Sequence, residues 1–240
     1  MPSDPAEILS GVLLADSLIL GLVIGFFWAG VFVGRSLGYP VGYGLEALGL
    51  TRPGSGYLAA VWLGFLSGAG ALISTIPLNL LSFFVLERLG VSTESTVQAP
   101  LMSALQEWVG ENPQTAIPAT VFVIVLFAPA AEEIIFRGAI FGGLRRLCAF
   151  LFGKLREGDK GKTGETGSFV LAALASSVAF ALLHFEPVLL PALLVLAAAL
   201  CVLYRRTGSL LSCFVAHATF NSFAVLILIL MGLGALPSQV

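Results

Sequence analysis

The sequence predicts an all-α fold: a polytopic transmembrane helical bundle of about six spans, or up to eight helices if some pieces are broken or re-entrant. Three observations lead there. The chain is 58% apolar and only 11% charged, with a mean hydropathy of +0.98, which lies outside the range of soluble domains. Its apolar residues gather in windows of about 20, the length a helix needs to cross the hydrocarbon core. Of the 12 basic residues, all except Arg88 and Arg137 fall on one set of alternate loops, the bias that marks a cytoplasmic face.

In chain order, the stretch before the first span, Met1 to Glu7, carries Asp4 and Glu7 but no Lys or Arg. It lacks the positive flank of a cleavable signal peptide, so Leu9 to Gly34 is expected to remain as an anchor. The second span, Tyr57 to Leu86, is long enough to tilt or to break at Pro77. Between Gly90 and Thr115 the chain turns polar, and a short surface helix is expected near Leu101 to Val109. The third span runs from Ile117 to Leu144, the fourth from Ser168 to Phe185, the fifth from Val188 to Tyr204 and the sixth from Ser209 to Gly232. Only Phe185-Glu186-Pro187 separates the fourth from the fifth, a separator short enough to suggest a broken or re-entrant pair. The segment from Gly153 to Gly167, rich in Gly, Lys and Glu, reads as a solvated loop.

The basic loops hold Arg35, Arg52, Arg145, Arg146, Lys154, Arg156, Lys160, Lys162, Arg205 and Arg206. They are expected in the cytoplasm, with both termini outside. Net charge is −2, which leaves no basic footprint for nucleic acid. Cys148, Cys201 and Cys213 are odd in number and lie in or beside apolar segments, so they fit packing better than a disulfide frame or a metal knuckle. Gly21 with Gly25, Gly30 with Gly34, and Gly64 with Gly68 are small residues four apart, a spacing that permits close helix approach.

Against this apolar background the ionisable residues are informative. The chain has two histidines, His184 and His217, and both sit inside apolar stretches, as do Glu132 and Glu133. Placing a charge near the bilayer centre costs roughly 2.5 to 3.5 kcal/mol on insertion scales, so such groups usually line a cavity or do chemistry. On a helix Glu133 can pair with Arg137, one turn on, while Glu132 points about 100° away. A carboxylate neutralised by arginine serves structure. One left unpaired in a desolvated site is a candidate base or proton carrier.

Phe180 with His184, and His217 with Asn221, each place two residues one turn apart on one helix face. A carboxylate, two imidazoles and a carboxamide suffice for water-driven peptide cleavage, with a base for the proton and donors for the oxyanion. Counted from the basic ends of their spans at about 1.5 Å per residue, Glu132 lies roughly 20 Å deep, His184 roughly 24 Å, His217 roughly 12 Å and Asn221 roughly 18 Å. Asp16, near the outer end of the first span, reads as an interfacial or helix-bonded acid. Glu186, beside a proline at a helix break, reads as a cap or gate outside the candidate set.

At these residues the chain resembles the type II CAAX prenyl endopeptidase and bacteriocin-processing membrane proteases, the CPBP or Abi family. The pattern Glu-Glu-x-x-x-Arg, Phe-x-x-x-His and His-x-x-x-Asn is met by Glu132, Glu133 and Arg137, by Phe180 and His184, and by His217 and Asn221. The resemblance covers Ile117 to Gly232, giving an N-terminal membrane region with an external loop over residues 1–116 and a CPBP-like core over 117–240. Members often have eight spans, against the six read here. It implies a multi-pass intramembrane endopeptidase acting on a membrane-associated or prenylated peptide or protein, through a site opening toward the cytoplasm. Glu132 with His184 would activate water, His217 with Asn221 would form the oxyanion hole, and Glu133 with Arg137 would hold the site together. No cofactor is favoured; zinc held by Glu132, His184 and His217 is the alternative, although no His-Glu-x-x-His is present.

Two other classes of function share these residues. A proton-coupled transporter would use Glu132 and the histidines as a relay, but paired repeats with broken helices at matching positions are expected there and none is seen. A catalytically silent scaffold of the same fold would be expected to have lost one of the polar positions, and all are present.

Overall fold

The computed structural model describes residues 4–36, 48–95, 98–155 and 162–237. Six stretches within it are long and apolar enough to cross a membrane: Pro5–Ser36, Tyr57–Arg88, Pro113–Cys148, Glu165–Leu182, Leu190–Thr207 and Leu210–Gly232. They match the spans expected from the sequence one for one. No strand occurs among the described residues, and large side chains such as Phe26, Leu66, Ile73 and Phe84 are exposed around the bundle. In water that surface would aggregate; in lipid it is the solvated surface. The protein is an integral multi-pass membrane protein.

Local signals set the helix ends. Helix α1 (Pro5–Ser36) opens on Asp4, whose carboxylate accepts the Ala6 N–H at 2.9 Å, with proline at the first helical position where its missing N–H costs nothing. Helix α2 (Tyr57–Arg88) keeps Pro77 inside one continuous helix, so the sequence-based option of a break there is not taken. Helix α3 (Gln98–Glu111) is the short polar-loop helix, with Leu105 and Val109 fully buried.

The third span is composite. It comprises α4 (Pro113–Thr120), a π-helical stretch (Val121–Phe127), α5 (Ala128–Glu133), a second π-helical stretch (Ile134–Phe141) and α6 (Gly142–Leu155). Helix α7 (Lys162–Leu182) begins earlier than expected, which corrects the reading of Gly153 to Gly167 as loop. Lys and Glu are good helix formers, and Glu165 lies in the first turn, where it complements the dipole; residues 156–161 of that segment lie outside the described residues. Helix α8 (Leu190–Thr207) ends on Gly208 at φ 65°, the left-handed stop that glycine permits. Ser209 then caps α9 (Leu210–Gly232), accepting the Leu211 N–H at 3.3 Å.

Helix α9 is the axis of the site, and α2 packs along it. A Cβ on Gly64 would stand 2.6 Å from Ser212 O and 2.8 Å from Val215 Cβ, and one on Gly68 would strike Ala216 O. Close approach is therefore realised at this glycine pair. It is not realised at Gly21, Gly25 or Gly30, where nothing lies within 4 Å among the described residues. Inside the bundle, Ile135, Phe136, Phe180, Ala181, Leu193 and Ala197 form one apolar cluster, which walls the polar groups described next.

Candidate functional site

Glu132 and Glu133 end the short α5, between the two π-helical stretches. Glu133 is almost fully buried, at 1% exposure, and its Oε1 accepts from His217 Nδ1 at 2.8 Å and forms an ion pair with Arg137 Nη1 at 3.0 Å. The i,i+4 pair expected from the sequence is present. The imidazole on the same oxygen was not foreseen. Arg137 is itself buried, reaches Ala197 O with Nη2 at 3.5 Å, and lies with its guanidinium carbon 4.7 Å from the Phe180 ring centre, where the negative ring face offsets part of its lost hydration.

Glu132 differs from its neighbour. Its side chain is 21% exposed, and its Oε2 stands 3.7 Å from His217 Nε2, too far for a direct hydrogen bond. That oxygen has no hydrogen-bond partner among the described residues. The two acids thus approach one imidazole at its two nitrogens, one bonded and one held just off. Because a carboxylate only accepts, the Nδ1 of His217 carries a proton toward Glu133, which leaves Nε2 facing Glu132.

His184 closes α7. Its Nδ1 lies 2.8 Å from Phe180 O, and a carbonyl only accepts, so that nitrogen too bears the proton and Nε2 is the free face. No hydrogen bond or ion pair joins His184 to Glu132 among the described residues. What links His184 to the cluster is Phe180, whose ring centre is 4.6 Å from that of His184 and 5.7 Å from that of His217, while Phe136 meets it edge-on at 5.1 Å. Read from the sequence as a motif residue, Phe180 is the fully buried post around which both histidines and Arg137 are arranged.

Asn221 depends on the third span's winding. The Ala128 N–H reaches five residues back to Val123 O. In that register the carbonyl of Ile124 is due the N–H of residue 129, which is Pro129 and has none. Asn221 Nδ2 takes the place at 3.0 Å. In the second π-helical stretch, Phe136 O likewise accepts from Ser176 Oγ of α7 at 3.0 Å. Sequence reasoning missed both tethers, although Pro129 was the available signal for the first. Asp16, read from the sequence as an interfacial or helix-bonded acid, is half-buried on α1, within the electrostatic reach of Glu132, and its Oδ2 has no hydrogen-bond partner among the described residues.

Glu132, His184 and His217 would be the zinc ligands of the alternative reading. Among the described residues, no group of three or more His, Cys, Asp or Glu side chains is arranged to hold a metal ion.

Carboxylates, imidazoles and a guanidinium gathered inside membrane spans are costly to keep there, which marks the cluster as a candidate site. Residues 113–223 match the family model described as type II CAAX prenyl endopeptidase Rce1-like, the same relationship that the three motifs resemble, and the matched segment contains every residue from Glu132 to Asn221 in the cluster. That family is one of proteases, which supports a membrane endopeptidase in general terms. No curated protein and no solved structure matches the chain.

Proposed function

We propose that the protein hydrolyses a peptide bond in a membrane-associated or prenylated peptide or protein, using a water activated by Glu132 without a metal. The observation that carries this is the contrast between the two acids: Glu133 is sealed, hydrogen-bonded to His217 and paired with Arg137, whereas Glu132 is partly accessible and its Oε2 has no hydrogen-bond partner among the described residues. The exposed part of the Glu132 side chain gives a water access to the carboxylate, while its Oε2 faces His217 Nε2 at 3.7 Å. In the proposed reaction the water oxygen adds to the carbonyl carbon and its proton passes to Glu132. The C–N bond then breaks as Glu132 returns that proton to the leaving amine. His184, with Nε2 free, holds the water alongside Glu132. Asn221 serves the tetrahedral oxyanion through the Nδ2 hydrogen not used on Ile124 O, and His217, oriented by Glu133, joins it through an Nε2–H in its doubly protonated form.

The charge asymmetry of the loops supports a cytoplasmic placement for the end bearing Arg35, Arg145 and Arg205, with both chain termini outside. Cleavage by purified Glu132→Gln against prenylated C-terminal peptides and leader peptides tests the mechanism. The expected loss is at least about a hundredfold, the usual contribution of a general base, and undiminished cleavage would remove Glu132 from the reaction. Strong inhibition by a chelator, reversed by zinc, would overturn the metal-free form.

A further inference from the structure

The turn between α7 and α8 holds a buried carboxylate that the chemistry above does not use. Glu186 is two residues beyond His184 and 4% exposed. Its side chain reaches to α3, where Oε1 accepts the Ser95 hydroxyl at 2.6 Å and the Gln98 N–H at 2.8 Å. The Ser95 oxygen in turn accepts the Ala99 N–H at 2.8 Å. Pro100 has no N–H, so the donors of the first three residues of α3 are Gln98 and Ala99, and both are taken. A carboxylate at this end also opposes the helix dipole.

The far end of α3 is fixed independently. A Cβ on Gly232 of α9 would stand 2.7 Å from Gln106 O and 2.8 Å from Val109 Cγ1, so α3 and α9 meet backbone to backbone. Helix α3 is thus a strut whose one end is docked on the helix carrying His217 and Asn221, and whose other end is bonded to the turn carrying His184. Between His184 and Glu186 lies Phe185 at φ 54°, the one non-glycine residue with positive φ among the described residues. A bulky side chain in the left-handed region is strained and persists only where its neighbours hold it. On one side that hold is the His184 bond to Phe180 O; on the other it is the Glu186 bonds to Ser95 and Gln98.

We infer that Glu186 is a positioning residue for His184: by clamping the His184-Phe185-Glu186 turn to the amino end of α3, it sets the ring of His184 against Phe180. Its effect on cleavage rests on the proposed function, but its effect on the ring does not. With only two histidines in the chain, the full-length protein in detergent micelles, labelled at histidine with 13C and 15N, gives two imidazole spin systems, which His184→Gln assigns. Glu186→Ala is expected to shift or broaden the His184 ring signals and leave those of His217, held by Glu133, in place. Glu186→Gln retains the Oε1 acceptor and is expected to restore the His184 signals. In cleavage, Glu186→Ala is expected to lower kcat at least tenfold with KM changed less than twofold, and Glu186→Gln to recover most of it. His184 signals unchanged in Glu186→Ala, or both histidines displaced together, would overturn the inference. If Glu186→Ala does not fold, Ser95→Ala decides: it removes one of the two bonds, and His184 signals unmoved by it would count against the clamp. A wild-type protein that cleaves no peptide defeats the proposed function, while the ring signals still settle the clamp.

Discussion

Replacing Arg137 by methionine removes a buried cation while nearly preserving volume, and so isolates the electrostatic role of the pair with Glu133. At the observed 3.0 Å, and with an effective dielectric constant of about 20, the attraction between the two charges is about 5 kcal/mol. Desolvating each ion costs several kcal/mol, so the intact pair is close to balance and adds little net stability. Arg137→Met keeps the cost of the buried Glu133 and deletes its compensation. Glu133 is then left with His217 Nδ1 alone, and the expected loss is about 3 to 5 kcal/mol. Adding Glu133→Gln removes the stranded charge and keeps an acceptor for His217, so the double variant should regain about 2 kcal/mol or more, roughly a thirtyfold change in the unfolding constant. Denaturant unfolding in detergent micelles, followed by tryptophan fluorescence for the wild type, both single variants and the double variant, measures the cycle. Equal stability for Arg137→Met and the double variant, within about 0.5 kcal/mol, would refute the claim that Arg137 neutralises Glu133.

The two histidines should separate in their effects on stability. His217→Gln disturbs a buried bond to a carboxylate and should cost about 1.5 to 3 kcal/mol, whereas His184→Gln, whose ring bonds only its own helix, should cost less than about 1 kcal/mol, with cleavage lost in both; the same unfolding assay and a peptide assay check this. Gly64→Ala should force α2 off α9 at a cost of about 1 to 3 kcal/mol, while Gly21→Ala, with open space around it, should be neutral or stabilising by up to about 1 kcal/mol. Pro129→Ala supplies the N–H that Ile124 O lacks and so competes with Asn221. Its cleavage rate should fall to a level similar to that of Asn221→Ala, with the fold retained by circular dichroism, and full activity would sever Pro129 from Asn221.

Much of this architecture is legible in the sequence because membrane burial writes itself into composition. Each span from Leu9 onward follows from hydropathy windows alone, and even α3 is visible in the run from Leu101 to Val109. The pair Glu133 and Arg137 was equally legible, since i,i+4 spacing brings side chains together on almost any helix. The glycines show where local reading stops: Gly21 with Gly25 and Gly64 with Gly68 have identical spacing, yet only the second pair has a partner helix among the described residues, and a partner is a property of the bundle. The segment after Gly153 misled because its Lys and Glu describe solvation and helix formation equally well. The contact of Glu133 with His217 was beyond reach for a different reason: it joins residues 84 positions apart through a span whose π-helical winding shifts every side chain downstream of Val121 from its α-helical direction.

That winding explains how a site can be held where the usual glue is weak. Within lipid, apolar side chains gain little by leaving one apolar neighbour for another, so helices are registered by close packing and by interhelical hydrogen bonds. A regular helix has no carbonyls to spare for its neighbours. The third span spares at least one: Pro129 leaves Ile124 O to Asn221 of α9, while Phe136 O takes Ser176 of α7 as well. These tethers run to the two helices that carry His217 and His184, one on each side of the Glu132-Glu133 pair. The irregular backbone and the catalytic candidates are therefore parts of one arrangement, in which departures from the α-helix supply the bonds that fix where α7 and α9 present their imidazoles. Pro129→Ala acts on that arrangement without touching any charged residue of the cluster, which is why its effect on cleavage discriminates this account from one in which the carboxylates and imidazoles alone define the site.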